Sequence, residues 1–178
     1  MLYFITSNNH KCAEIRKLTD IPIVQRDLSY PEIQADTLQE VAESGAEYCY
    51  PRLGEPCFVE DSGLFCDALR GFPGPYSNYV YRTLGCEGIL RLVSQNRNAH
   101  FASVIAYHDG SEVNLFMGEI RGTLAETIKG EKGFGFDPIF IPEGETRTFA
   151  EMETEEKNLY SHRGKAFTAF ISYLNQVR

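Results

Sequence analysis

Short apolar runs alternate with amphipathic stretches along this chain, the pattern of strands and helices stacked in layers. Residues 2–6 are a buried strand by composition, and Ser7, Asn8 and Asn9 then offer caps for a helix running to about Leu18. Leu38, Val41, Ala42, Gly45, Ala46 and Cys49 recur at helical spacing, which predicts an amphipathic helix over 37–50 ahead of a strand starting near Phe58. A shorter helix is predicted around 87–94. Segments 100–107 and 113–121 are extended and joined through Asp109-Gly110, the composition of a tight antiparallel hairpin. Residues 164–178 close the chain as a helix with Ala166, Phe170, Leu174 and Val177 on its apolar face. The sum is a mixed α/β fold, with helices packed on a twisted mixed sheet. The sequence has no repeats, and 143–147 is the segment nearest to disorder.

Composition narrows the classes. At 178 residues the chain suits one domain with a real core, and its 43% hydrophobic and 24% charged content is that of a soluble globular protein. No apolar run is long enough to span a membrane, and the first residues, MLYFIT, form a strand rather than a leader, so a cytoplasmic location is expected. Five cysteines without CxxC spacing argue against zinc and against a disulfide framework, leaving Cys57 and Cys66 as buried apolar residues. A net charge of −8 disfavours a nucleic acid polymer as partner. A small anion remains compatible where basic groups gather locally.

Four clusters carry candidate chemistry. Glu60 and Asp61 stand side by side where an apolar strand is expected to end, followed by Ser62 and Gly63 and a turn rich in glycine and proline. Two adjacent carboxylates repel one another, and a hard divalent cation relieves that repulsion. Magnesium needs only one or two acids beside substrate phosphates, and Glu32 is a candidate second ligand or a solvated loop residue. The segment Thr6-Ser7-Asn8-Asn9-His10-Lys11 joins a strand to a helix, where free N–H groups, the helix dipole and Lys11 favour an anion; without the glycine spacing of a P-loop, a plain capped turn is the simpler reading. Gly133-Phe134-Gly135-Phe136-Asp137-Pro138 puts glycines beside aromatic rings, suited to a flat ligand or simply to a turn with core phenylalanines. Lys157, Ser161, His162, Arg163 and Lys165 gather donors at the start of the last helix, an oxygen site or a solvated basic end. His10, His100 and His108 have no neighbours that suggest ligation.

Taken in order, TSNNHK with Glu14, EDSGLF through GFPGPYS, GFGFDPIF and EEKNLYSHRGKA resemble the HAM1-like inosine triphosphate pyrophosphatases, the non-canonical purine nucleoside triphosphatases. TFAEM adds to the likeness, and PEIQADT with YVYRTLG resembles the archaeal branch. The resemblance spans nearly the whole chain. It implies an elongated fold of two lobes around a cleft, usually a homodimer, and magnesium-dependent hydrolysis of ITP, dITP and XTP to the monophosphate and pyrophosphate.

By the same resemblance, Thr6, Ser7, Asn8, Asn9, His10 and Lys11 would hold phosphate, Glu32 and Asp61 the metal, and Ser62 the substrate. Phe134, Gly135, Phe136, Asp137, Lys157, His162 and Arg163 would line the base pocket, and Asp61 would accept the proton. Cationic donors at Lys157, His162 and Arg163 would match a 6-keto purine and oppose the amino group of adenine. Two departures stand out: Asn78 occupies a position where many relatives carry a basic residue, with Arg82 four positions on, and the helix from Thr37 lacks a lysine. A Maf-like pyrophosphatase acting on pyrimidine or modified nucleotides, and a nucleotide-binding module without turnover, are the alternatives.

Overall fold

The structure, a computed structural model, describes residues 1–177. Strand β1 (Leu2–Ile5) lies between β2 (Ile23–Arg26) and β3 (Cys57–Cys66), parallel to both. Strands β4 (Asn98–His108), β5 (Val113–Leu124) and β6 (Phe140–Pro142) continue the same sheet antiparallel. The mixed α/β expectation therefore holds. The β4–β5 hairpin closes as predicted, with Asp109 Oδ1 accepting from the N–H groups of Ser111 and Glu112 at 2.8 and 3.0 Å.

Among the described residues five α-helices flank the sheet: α1 (Asn9–Arg16), α2 (Leu38–Leu53), α3 (Ser77–Leu92), α4 (Thr154–Tyr160) and α5 (His162–Gln176). Thr37 opens α2 through a capping box, its Oγ1 accepting from the Glu40 N–H while the Glu40 carboxylate accepts from the Thr37 N–H. The helix buries Leu38, Val41, Ala42, Ala46 and Cys49. All five cysteines are buried and free.

Buried residues form three clusters. One packs α1 and α5 on the β1–β3–β4 face, where Phe58 stacks on Phe4 at 4.5 Å and meets Phe170 at 5.2 Å. Truncating Phe58 to alanine there costs about 3–5 kcal/mol. A second lies under α2 on the opposite face. The third surrounds the far halves of β3, β4 and β5 with α3 and β6. The long central strands thus join two packed ends, with the cleft between them.

Several boundaries differ from expectation. Helix α3 spans Ser77–Leu92 rather than 87–94, because Gly85, at φ 64°, breaks it internally and splits its apolar pattern into Val80 before and Cys86 and Ile89 after the break. Helix α1 ends at Arg16, short of Leu18, and α5 begins at His162, where the Ser161 side chain accepts from the Gly164 N–H. Val177 lies beyond α5 and is 60% exposed, so the apolar face stops at Leu174. The segment 143–147 is tied down, with Arg147 paired to Glu145 and Glu156. Strands β2 and β6 and helix α4 are too short to leave a period in the sequence. Among the described residues no helix is long and apolar enough to cross a membrane.

Candidate active site

A cavity of about 780 Å³ opens between the two packed ends, within the range of small-ligand sites. Its walls come from the β1–α1 turn, the loop after β2, the middle of β3, the start of α3, the loop before β6 and the start of α5.

The β1–α1 turn is built from its own side chains. Thr6 Oγ1 accepts from the Asn8 N–H and Asn8 Oδ1 from the Lys11 N–H, each at 3.0 Å, so Asn8 is the cap that starts α1. The cap sends Lys11 toward β3, where its Nζ lies 3.0 Å from the Glu60 carbonyl oxygen and 2.8 Å from Glu60 Oε2.

Glu60 and Asp61 are not at a strand exit. Strand β3 continues unbroken to Cys66, and as consecutive strand residues they point to opposite faces of the sheet. The two carboxylates consequently meet different surroundings. Glu60 is fully buried and held by Lys11, by Arg163 Nε at 3.2 Å and by Ser103 Oγ at 2.5 Å. Burial works against its charge, but Arg163 and Lys11 outweigh burial and hold its pKa far below the usual carboxylate range. Asp61 has no such escort. Its Oδ2 is buried without a hydrogen-bond partner, and burial, with Glu60 and Glu32 adding to it against Lys11, pushes its pKa up to about 7.

Behind the cavity wall the charges close into a lattice. Lys157 Nζ donates to Glu14 Oε1 and to Asp137 Oδ2, both at 2.7 Å, and Arg163 donates to Glu14 Oε2 at 2.5 Å and to Ser62 Oγ at 3.0 Å. Glu14, Glu60 and Asp137 are thereby matched by Lys11, Lys157 and Arg163. Asp61, with its Oδ2 buried, has no such match. Burial raises Glu14, but Arg163 and Lys157 prevail and lower it; Asp137 is raised by burial and by Glu14 against Lys157. Gly133 makes this packing possible: at φ 71° it lets Asp137 fold back to accept the Phe134 N–H at 2.9 Å, and a Cβ there would lie 2.2 Å from Asp137 Oδ2.

His162 is buried and stacked on Phe101, with ring centroids 4.6 Å apart. Burial, then Arg163 and Lys157, hold its pKa well below the ordinary imidazole value, so the ring is neutral at pH 7. Its Nδ1 has no partner among the described residues. Phe134 lies under the cations of Lys157 and Arg163, each 5.3 Å from its centroid, while His10 stacks on it at 5.4 Å. His10 is thus not incidental, as its lack of ligating neighbours suggested; its partner is an aromatic ring distant in sequence.

The cavity gathers Thr6, Ser7, Asn8, Asn9, His10, Lys11, Glu32, Asp61, Ser62, Phe134, Gly135, Phe136, Asp137, His162 and Arg163. Lys157 does not reach it and stands behind the wall, between Glu14 and Asp137. The expected row of free cationic donors is therefore altered: Lys157 and Arg163 are committed to carboxylates and His162 is uncharged. Sequence reasoning gave no role to Glu14, Asp27, Tyr30, Ser77 or Phe101. Glu14 left a signal, a lone acid between the apolar Cys12 and Ile15 on the buried side of α1.

Among the described residues no three His, Cys, Asp or Glu side chains are grouped to hold a metal by themselves. The orphaned Asp61 oxygen beside Glu32 instead fits a hard cation whose remaining ligands are substrate oxygens.

Comparison with known proteins agrees with this architecture. The Ham1 family matches residues 2–173, and the chain belongs to that family. It is 55% identical to the dITP/XTP pyrophosphatase of Thermococcus kodakarensis, over 98% of this chain and 97% of that protein. It is 53% identical to the dITP/XTP pyrophosphatase of Methanopyrus kandleri, over 94% and 92%. Among solved structures, a HAM1 protein from Coxiella burnetii superposes with a TM-score of 0.83 at 30% identity, over 99% of this chain and all of that one. The Staphylococcus aureus Ham1 protein gives 0.85 at 26%, over 99% of both.

Proposed function

We infer that the chain hydrolyses non-canonical purine nucleoside triphosphates, ITP, dITP and XTP, to the monophosphate and pyrophosphate, with magnesium, and so removes deaminated purines from the nucleotide pool. The observation that carries this reading is the buried, unpartnered Oδ2 of Asp61, facing a cavity whose fully buried acids, Glu60 and Asp137, are paired with cations, in a chain whose relatives are named dITP/XTP pyrophosphatases.

Glu32 and Asp61 would hold Mg2+, which when bound offsets negative charge on the phosphoryl oxygens. The β1–α1 turn and Lys11 bind the phosphate chain, and Ser62, fixed by Arg163, orients it. Water attacks the α phosphorus, the bond to the α–β bridging oxygen breaks, and pyrophosphate departs. Asp61 orients the water and takes its proton; with a cation beside it the carboxylate would be ionised and the attacking water made more acidic.

Phe134 and the start of α5 receive the purine. A neutral His162 carrying its proton on Nδ1 would donate to a 6-keto oxygen and would leave the amino group of adenine facing a donor. Selection then rests on one imidazole tautomer, on a ring stacked against Phe101. The test is product analysis with ITP, dITP, XTP, ATP and the pyrimidine triphosphates. Monophosphate and pyrophosphate from the first three alone are expected; preferential cleavage of pyrimidine nucleotides would favour the Maf-like reading, and binding without turnover the passive one. The family resemblance also supports a homodimer at work in the cytoplasm, and sedimentation equilibrium tests the dimer.

A further inference from the structure

The cavity is short of available positive charge. Five carboxylates line it, Asp27, Glu32, Glu60, Asp61 and Asp137, against three permanent cations, Lys11, Arg82 and Arg163. Lys11 is engaged by Glu60, and Arg163 by Glu14 and Glu60. Arg82 is different. It is exposed, it lines the cavity, and among the described residues it makes no hydrogen bond or ion pair.

Its helix is fixed on two sides. At the start of α3, Ser77 Oγ accepts from the Leu64 N–H at 2.8 Å and donates to the Gly74 carbonyl at 2.7 Å. That turn presses so closely on β3 that a Cβ at Gly63 would lie 2.2 Å from Gly74 O. One turn on, Tyr81 meets Phe136 edge to face at 5.4 Å. Asn78 and Arg82, four residues apart on one helix face, both line the cavity as a result. Asn78 brings no charge. A guanidinium held at a cavity wall without a counter-ion recognises phosphate oxygens through charge-assisted hydrogen bonds.

We propose that Arg82 binds the β and γ phosphates of the substrate and the departing pyrophosphate, and so makes the site select triphosphates. The inference rests on the proposed function and adds to it a residue on α3. It concerns the anionic tail, not the base.

The test compares wild type, R82A and R82K. Each is assayed for ITP hydrolysis with magnesium, for inhibition by pyrophosphate, and for magnesium-pyrophosphate binding by calorimetry. R82A is expected to raise KM for ITP and the pyrophosphate inhibition constant by about tenfold each, with kcat within about threefold and R82K recovering most of the loss. The ITP to ATP preference and the melting temperature stay unchanged, since Arg82 is exposed and supports no packing. An unchanged KM and pyrophosphate affinity in R82A overturns the proposal. So does a loss of base preference at unchanged pyrophosphate affinity, which would assign Arg82 to the purine. A wild type that leaves ITP intact overturns the proposed function instead, and calorimetry with pyrophosphate still decides the role of Arg82.

Discussion

Glu14 Oε1 accepts a hydrogen bond from Lys157 Nζ at 2.7 Å, joining the first helix to the fourth across 143 positions of sequence. The same carboxylate takes Arg163 through its other oxygen, and the Asn158 side chain donates to the Glu14 carbonyl at 3.0 Å. One residue on α1 therefore sets where the positive charges behind the cavity wall stand. A buried pair is a weak source of net stability, but removing one partner leaves the other charge stranded.

Glu14→Ala is accordingly expected to destabilise the fold by about 3–5 kcal/mol and to abolish turnover, because Lys157 and Arg163 lose their common counter-charge. Glu14→Gln, which keeps the shape and one acceptor, should cost less stability. Urea unfolding of the two variants beside ITP turnover checks this; a Glu14→Ala protein as stable as the wild type would show that the lattice carries no strength.

Asp61→Asn should show the opposite balance, with hydrolysis lost and stability gained. The folded pKa near 7 lies above the unfolded value of 3.8, so between these values the folded state binds more protons and stability falls as pH rises. Above pH 7 the whole penalty is present, on the order of 4 kcal/mol. Asparagine mimics the protonated acid without titrating. Thermal midpoints of the variant should exceed those of the wild type at pH 8, the difference shrinking toward pH 4. A variant that melts at or below the wild type at pH 8 would mean that Asp61 is better compensated than its surroundings indicate.

The rate should follow the same group. With Asp61 as proton acceptor, kcat/KM rises with pH to a plateau with an apparent pKa near 7 in limiting magnesium, and the inflection moves to lower pH as magnesium is raised, since ligation favours the ionised carboxylate. Initial rates across pH 5 to 9 at two magnesium concentrations provide the measurement. A profile flat from pH 5 would remove Asp61 from the proton transfer.

Much of this was legible in the sequence, and the part that was not has a common cause. The hairpin at Asp109-Gly110, the amphipathic helix before Phe58 and most of the cavity residues follow from local pattern or from motifs, because turn chemistry, helical period and short motifs are properties of neighbours. Helix α3 was obscured by the break at Gly85, which resets the period partway along. The fate of Glu60 and Asp61 was misjudged for a different reason. Adjacency in sequence suggested a shared environment; both line the cavity, yet strand alternation gives them different neighbours, and only Lys11, Ser103 and Arg163, from three separate elements, decide that one is neutralised and the other is not. Lys157 looked like a free donor until Glu14 and Asp137 were placed beside it. Such pairings are made by topology and leave no local trace.

His162 provides an independent check on the electrostatics. Its folded pKa is depressed below 6.5, so the unfolded chain binds the additional proton, and stability is lost as pH falls through that value. His162→Phe, which keeps a ring against Phe101 and cannot titrate, should flatten the stability loss between about pH 6.5 and 4.5, the onset of carboxylate titration. Guanidinium unfolding across that interval measures it; an identical acid slope in the variant would place the proton uptake elsewhere.

The most direct test is hydrolysis of ITP in 18O-labelled water, with the products separated and weighed by mass spectrometry. Attack at the α phosphorus beside Asp61 predicts the label in inosine monophosphate and none in pyrophosphate. Label in pyrophosphate would put the attack on the β phosphorus and contradict the placement of Asp61 at the reacting centre.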